Sequence, residues 1–164
     1  MKILWAPWRM TYIKKVCEKN SECFLCKAAK ENRDEENLVV FRGSKCFVVV
    51  NKYPYNNGHL LIAPYRHISS LLDLSEEESL EIMRILRLSI KALREEYRPE
   101  GFNVGLNLGR ASGAGLEDHL HLHVVPRWTG DTNFMPIFSE TKVVPELPGE
   151  TWKKLKKHFD RLRL

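Results

Sequence analysis

Three histidines alternate with leucines in the run His119-Leu120-His121-Leu122-His123. Side chains on a β-strand point alternately to the two faces of the sheet, so this spacing predicts three neighbouring imidazoles with the leucines facing the core. Residues two apart on a helix diverge, so a strand is favoured. Because imidazoles titrate near neutral pH and can act as nucleophiles, acids or bases, the pattern predicts a reaction centre. The alternatives are a surface strand in which histidine happens to alternate and an adventitious metal site.

A fourth histidine, His59, follows the turn-forming pair Asn57-Gly58 where a strand is predicted to start. Alone it would be read as structural, but beside the triplet its imidazole could fix the tautomer of another histidine. The glycine-rich stretch 109–115 precedes the triplet, and glycine lets backbone N–H groups approach a phosphate closely. Such a loop can therefore hold a phosphate group, although by itself it is a weak signal.

Two cysteines, Cys23 and Cys26, form a CxxC pair with the spacing of zinc ligands. A second CxxC is absent, so two further ligands would have to come from elsewhere, and His67 and His119 are the available candidates. The alternatives are a reduced thiol pair and a redox motif. The two other cysteines of the chain look like ordinary buried or half-buried thiols: Cys17 and Cys46.

The elements that must position these residues are predicted from apolar patterns and turn formers. Ser75 and Glu78 form a capping box at the start of a long amphipathic helix, which should end near Arg98 because Pro99 follows. This order of elements predicts an α+β fold, with an antiparallel sheet, one long helix and a short C-terminal helix. The predicted strands are Leu38–Phe41, Cys46–Val50, His59–Ala63, Phe102–Leu108 and His119–Pro126.

The length of 164 residues predicts a single domain, 1–164. Within it we distinguish an N-terminal segment with the CxxC pair (1–30), a catalytic core (38–128), and an arm with a basic helix (129–164). The last 14 or so residues are predicted to form an amphipathic helix that turns three side chains inward: Trp152, Leu155 and Phe159.

Composition narrows the classes of function. The chain is 43% hydrophobic and 29% charged, and it contains no apolar run of the about 20 residues that span a membrane. Its start lacks the long apolar region of a signal peptide, so we expect a cytoplasmic protein without a membrane partner. Residues 150–164 hold six basic and two acidic residues and so contribute +4 of the net charge of +5. A basic helical tail is usually a solvated face, so a nucleic-acid partner is not expected.

The histidine run resembles the signature of the histidine triad (HIT) superfamily of nucleotide hydrolases and transferases. The resemblance covers roughly residues 22–128, including Asn51, the stretch from Pro54 to His59, the long helix and the glycine-rich loop. It implies that His121 is the nucleophile that attacks the α-phosphorus and carries a transient nucleotidyl group. It further implies that His123 holds a non-bridging phosphate oxygen, and that His59 and His119 complete the catalytic set.

The resemblance also implies positions that contact the nucleotide. Asn51 matches the position that holds the ribose hydroxyls, and Asn107 matches a polar position just before the phosphate loop. Gly113 and Gly115 would offer backbone N–H groups to phosphate, and Arg127 would add charge to an acceptor pocket. The pair Glu117-Asp118, just before the triad, departs from simpler hydrolase relatives and leaves the leaving-group contacts undefined.

Some HIT relatives close a structural Cys2His2 zinc site with a histidine after the second strand and with the first triad histidine. By resemblance, the ligands here would be Cys23, Cys26, His67 and His119. With four protein ligands and no open position, such a zinc ion would be structural. The resemblance implies no organic cofactor, and it implies a homodimer.

Segments outside the triad look like the diadenosine tetraphosphate phosphorylase branch of the superfamily, in which orthophosphate accepts the nucleotidyl group. They are 4–10, Pro126-Arg127-Trp128 and 130–134. Three alternatives stay open. The first is a HIT hydrolase that uses water on dinucleoside polyphosphates or nucleoside phosphoramidates, and the second is a nucleotide-binding regulator. The third is a zinc-stabilised nucleic-acid-binding module that uses 153–163.

Overall fold

Five short strands form one antiparallel sheet. The structure is a computed structural model that describes residues 23–112, 116–132 and 144–162. Cys17, the opening segment 4–10, Gly113 and Gly115 lie outside these ranges, as do the last two residues of the segment 130–134. The strands are β1 (Val39–Arg42), β2 (Cys46–Val50), β3 (Leu60–Pro64), β4 (Gly101–Leu106) and β5 (Leu122–Arg127). They lie side by side in the order β1–β2–β3–β5–β4.

Helices cover both faces of the sheet. The long helix α2 (Glu76–Tyr97) and the C-terminal helix α3 (Pro148–Arg161) pack on one face, and the short helix α1 (Phe24–Lys30) packs on the other. The α+β architecture predicted from the sequence is therefore confirmed. Within the described part of the chain, no helix combines the length and the apolar character that a membrane span requires.

The long helix begins and ends as the sequence predicts. The Ser75 hydroxyl accepts a hydrogen bond from the Glu78 peptide N–H, and the Glu78 carboxylate accepts one from the Ser75 N–H, which completes the capping box. At the other end Arg98 adopts a left-handed conformation with φ 47°, directly before Pro99. On α3, Leu155 is fully buried, in agreement with the predicted inward face.

The turn between β1 and β2 is held by a carboxylate from α2, which the sequence did not predict. Glu81 is buried, and its two oxygens accept hydrogen bonds from the peptide N–H groups of Ser44, Lys45 and Cys46 at 2.6–2.9 Å. Burial tends to raise the pKa of Glu81, but these bonds and one from the Ser44 hydroxyl outweigh it, so the pKa is lowered. A Cβ atom at Gly43 would lie 3.0 Å from Glu81 Oε1, so the position has no room for a side chain.

The predicted strand His119–Pro126 was wrong at its start, because β5 begins at Leu122. In the β3–β5 register, Ile62 pairs with Leu122, so a longer ladder would place Pro64 opposite Leu120. Proline has no N–H to donate, and the N–H of Leu120 instead donates to the carbonyl of Ile68 at 2.6 Å. Of the three histidines, only His123 therefore lies in the strand.

Candidate active site and metal site

The side chains of His59 and His123 form a hydrogen-bonded pair on the face of the sheet opposite α2. His59 lies one residue before β3, is fully buried, and places its Nε2 2.9 Å from Nδ1 of His123. In the β3–β5 register Leu61 pairs with His123, so their side chains lie on the same face. His59 is two residues before Leu61, so its side chain lies on that face as well. The sequence predicted that His59 would bond a strand histidine, and the structure brings the two together.

Tyr55, for which the sequence predicted no role, contacts both histidines of this pair. Its peptide N–H donates to Nδ1 of His59 at 3.0 Å. The centroid of its ring lies 4.7 Å from the centroid of the His59 ring and 5.8 Å from that of the His123 ring. The planes of the Tyr55 and His123 rings differ by 17°. The signal available in the sequence was an aromatic residue four positions before a candidate histidine.

His121 is oriented by the backbone two residues before it. Its Nδ1–H donates to the carbonyl oxygen of His119 at 2.7 Å, and because a carbonyl can only accept, the lone pair lies on Nε2. Its side chain is buried, with 8% of the residue exposed, and this burial lowers its pKa, which favours the neutral imidazole. A neutral imidazole with a fixed tautomer and a directed lone pair is suited to nucleophilic attack.

His119 faces a different group of residues from the other two histidines of the run. Its Nε2–H donates to the carbonyl oxygen of Pro64 at 2.9 Å, which leaves the lone pair on Nδ1. Nδ1 lies 3.4 Å from Sγ of Cys23 and 3.5 Å from Sγ of Cys26. Burial lowers the pKa of His119, so its ring is kept neutral, as a metal ligand must be.

The four predicted metal ligands converge on one point. The ligand atoms of Cys23, Cys26, His67 and His119 all lie within 4.8 Å of one another, and His67 Nδ1 is 3.1 Å from Cys26 Sγ. Zinc bonds of about 2.3 Å to sulfur and 2.0–2.1 Å to nitrogen in a tetrahedron place such atoms about 3.6 Å apart. The donor set and its spacing therefore fit a tetrahedral zinc ion.

The loop that carries His67 is tied to α2 by an ion pair. Arg66 donates to both carboxylate oxygens of Glu78, at 2.8 and 2.6 Å, and to the carbonyl oxygen of Asp73 at 2.6 Å. The hydrogen bond from Arg66 is the main reason that the pKa of Glu78 falls to about 2. The carbonyls of Pro64, the last residue of β3, and of Ile68 in the same loop hold the segment before β5.

The structure brings two of the predicted nucleotide-binding residues to the histidines. The side-chain amide of Asn107 lies 3.4 Å from Nε2 of His123. Asn51 places its amide nitrogen 3.3 Å from His59 Nδ1, and its amide oxygen accepts from the N–H of Tyr53 at 2.9 Å.

Arg127 does not join this cluster. Its guanidinium donates to both carboxylate oxygens of Asp131, at 2.6 and 2.8 Å, and to the amide oxygen of Asn103 at 2.6 Å. It lies four residues beyond His123 along β5, which is about 13 Å along an extended strand. The contact of Arg127 with phosphate stays a prediction. A phosphate at this position would compete with Asp131 for the guanidinium.

Comparisons with known proteins point to one protein family. The sequence model of the HIT domain matches residues 32–130. A protein from Mycobacterium tuberculosis (strain CDC 1551 / Oshkosh) named AP-4-A phosphorylase is 43% identical to the chain, over 96% of this chain and 84% of the relative.

Solved structures agree with the fold. A hypothetical histidine triad nucleotide-binding protein from Sulfolobus tokodaii superposes with a TM-score of 0.66 at 28% identity, covering 85% of this chain and 90% of that protein. A Zn-bound histidine triad family protein from Mycobacterium smegmatis also gives a TM-score of 0.66, at 22% identity, covering 85% and 94% of the two chains.

Proposed function

This chain belongs to the HIT domain family, and we propose on that premise that it is a nucleotidyltransferase that cleaves dinucleoside polyphosphates such as diadenosine tetraphosphate. The observation that carries the proposal is the orientation of His121, whose Nδ1–H is fixed on a backbone carbonyl while Nε2 keeps its lone pair. The relative named AP-4-A phosphorylase supports the substrate class.

In the first step, Nε2 of His121 attacks the α-phosphorus, and the bond from that phosphorus to the bridging oxygen breaks. The leaving nucleoside polyphosphate takes the electron pair, and a nucleotidyl group stays on His121. The Tyr55 N–H donates to Nδ1 of His59, so neutral His59 donates from Nε2 to Nδ1 of His123. The Nε2–H of His123 can then donate to a non-bridging phosphate oxygen and stabilise the charge that develops there.

In the second step, an oxygen of orthophosphate attacks the same phosphorus and the phosphorus–nitrogen bond breaks. This step releases a nucleoside diphosphate and restores His121. We assign orthophosphate as the acceptor because the relative at 43% identity is named a phosphorylase. We further propose that Asn107 and Asn51 contact the phosphate and the ribose, because both side chains lie beside the histidine pair.

The test is incubation with diadenosine tetraphosphate, with and without orthophosphate, followed by identification of the products. ADP plus ATP that form only with phosphate would support the phosphorylase. AMP plus ATP without phosphate would instead indicate a hydrolase, and no turnover under either condition would contradict the proposed function.

We infer a structural zinc ion held by Cys23, Cys26, His67 and His119. The ion would supply four bonds that join α1, the loop after β3 and the segment before β5, and four protein ligands leave no position for substrate. Zinc content measured on the purified chain tests this inference.

We also infer a homodimer. Edge strand β4 pairs with β5 alone among the described elements, and Val104 on it is 42% exposed. Met83 on α2, 55% exposed, lies on the same side of the sheet, so a second copy could cover both apolar side chains. Light scattering should give the mass of a dimer for the unchanged chain and a lower mass for Val104→Lys. A monomeric unchanged chain would contradict the dimer.

The basic helix α3 gives the nucleic-acid alternative little support. Three of its lysines form ion pairs with nearby carboxylates: Lys153 with Glu150, Lys154 with Glu146 and Lys156 with Asp160. We therefore assign no nucleic-acid partner. We propose that the substrate is a nucleotide and that the protein is cytoplasmic.

A further inference from the structure

Tyr55 contacts both imidazoles of the His59–His123 pair, through its backbone and through its ring. We propose that Tyr55 is a positioning residue: its N–H and its ring fix the His59–His123 pair so that Nε2–H of His123 points toward the reacting phosphate. The inference rests on the proposed function for its kinetic consequence, but the tautomers themselves are a property of the protein without substrate.

The tautomers of both histidines follow from the peptide N–H of Tyr55. A peptide N–H can only donate, so Nδ1 of His59, 3.0 Å from the Tyr55 nitrogen, must accept. Neutral His59 then carries its hydrogen on Nε2, and Nδ1 of His123, 2.9 Å away, must accept in turn. The hydrogen of neutral His123 is therefore on Nε2. An amide presents either its oxygen or its nitrogen after a half-turn, so Asn107 can accept from this N–H.

The same chain of bonds requires both imidazoles to be neutral. A proton added to Nδ1 of His123 would face the hydrogen on Nε2 of His59, and a proton added to Nδ1 of His59 would face the N–H of Tyr55. Either protonation would break one of the two hydrogen bonds. The Tyr55 N–H, together with the Asn51 amide nitrogen 3.3 Å from the same Nδ1, thus determines that His123 carries its hydrogen on Nε2.

The ring of Tyr55 protects this arrangement from water. It lies nearly parallel to the His123 ring, with a centroid distance of 5.8 Å, and it tilts against the His59 ring. Tyr55 is 43% exposed whereas His59 is fully buried, so the ring that lies against both imidazoles shields part of the pair from solvent. Without the ring, His123 would gain the space to rotate, and water would compete for its Nδ1.

The turn that carries Tyr55 is fixed on both sides. Before it, the Asn51 amide oxygen accepts from the N–H of Tyr53, and Pro54 has a restricted φ. After it, the Asn56 amide donates to the carbonyl of Pro126 at 3.1 Å and to Asp131 at 2.7 Å. The direction of the Tyr55 N–H is therefore built into the fold and does not depend on the side chain at position 55.

The experiment compares Tyr55→Leu with Tyr55→Phe and with Tyr53→Leu, a matched change at a tyrosine of the same turn that is 55% exposed. For Tyr55→Leu we expect kcat on diadenosine tetraphosphate to fall between about 10- and 100-fold with KM changed by less than about twofold. Tyr55→Phe keeps the ring and should restore kcat, and Tyr53→Leu should match the unchanged chain.

The independent measurement is ¹⁵N NMR of the imidazoles without substrate. In the unchanged chain and in Tyr55→Phe, Nε2 of His59 and of His123 should both carry the hydrogen. In Tyr55→Leu, His59 should keep this tautomer while His123 gives signals averaged between its two tautomers.

Three results would overturn the proposal: a hydrogen on Nδ1 of His59 in the unchanged chain, unchanged kcat in Tyr55→Leu, or a rise in KM alone. The last result would mean that Tyr55 stacks on a nucleobase. If the unchanged chain does not turn over the dinucleotide at all, the proposed function fails, whereas the NMR measurement still decides the role of Tyr55.

Discussion

His121 donates its Nδ1–H to the backbone carbonyl of His119, whose own side chain points at two cysteine sulfurs. The proposed nucleophile is thus oriented by the peptide group of a proposed metal ligand. The two sites share a backbone segment but no side chain, so a change at one is expected to affect the other through geometry.

Replacing the nucleophile should stop turnover without unfolding the protein. We expect His121→Ala to lower kcat on diadenosine tetraphosphate by at least about 10³-fold, because no nucleotidyl-histidine can form. Mass spectrometry of the reaction quenched with denaturant at alkaline pH, where the phosphorus–nitrogen bond is stable, should show the nucleotidyl adduct on the unchanged chain only. The matched control is His158→Ala, since His158 bonds Glu95 and Glu96 between α2 and α3, away from the histidine pair. Substantial activity in His121→Ala would contradict the mechanism.

Loss of the metal ligands should lower stability and kcat together. We expect the double variant Cys23→Ser, Cys26→Ser to bind less than one zinc per chain and to melt several °C lower, since about 1 kcal/mol corresponds to about 2–4 °C for a chain of this size. The kcat should fall because the His119 carbonyl is no longer held in place. Cys17→Ser leaves all four ligands intact and serves as the control. A double variant with an unchanged melting temperature would show that the ligand cluster is not a metal site.

Local patterns predicted much of the fold, because their causes lie within a few residues. The capping box of Ser75 and Glu78 is an example, since both partners belong to the same helical turn. Contacts between distant segments were not predictable in this way. The start of β5 depends on Pro64, which has no N–H to offer Leu120, and nothing near residue 119 indicates that proline as its neighbour.

In the site, too, local patterns were predictable and contacts between distant segments were not. The alternation of histidines predicted a shared function, but their assignment to different partners arises from tertiary contacts. Arg127 has the charge for a phosphate contact, and only the fold reveals that Asp131 already accepts two of its hydrogen bonds. Tyr55 was missed because its most informative bond comes from the backbone N–H, which every residue except proline has.

Acid should weaken the attachment of the His67 loop through Glu78. Its pKa is about 2 in the folded chain against an ordinary value of 4.5, so the ion pair with Arg66 stabilises the fold fully above about pH 4.5. This contribution is lost as the pH falls from about 4.5 toward 2. We expect about 1–2 kcal/mol, since solvent screens the exposed side of Arg66.

Urea unfolding of the unchanged chain and of Glu78→Gln at pH 7, 5 and 3 measures this effect. Glutamine still completes a capping box, so the substitution removes the charge and keeps the helix start. The difference between the two proteins should be largest at pH 7 and should shrink at pH 3. A difference that does not change with pH would show that the charge of Glu78 is not its source.

Gly58, directly before His59, should not tolerate a side chain. It has φ +74°, and a Cβ atom there would lie 2.9 Å from Leu93 Cδ2 and 3.1 Å from Pro126 Cγ. We expect Gly58→Ala to destabilise the fold by about 2–3 kcal/mol, with strain and crowding both contributing, and to lower kcat by displacing His59. Gly109→Ala separates the two causes, because Gly109 has φ +73° but no heavy atom of the described residues lies within 4 Å of its added Cβ. Thermal melts of the two variants should therefore show a smaller loss for Gly109→Ala, of about 1 kcal/mol. Equal losses would mean that strain alone determines the residue at position 58, and that crowding against Leu93 contributes nothing.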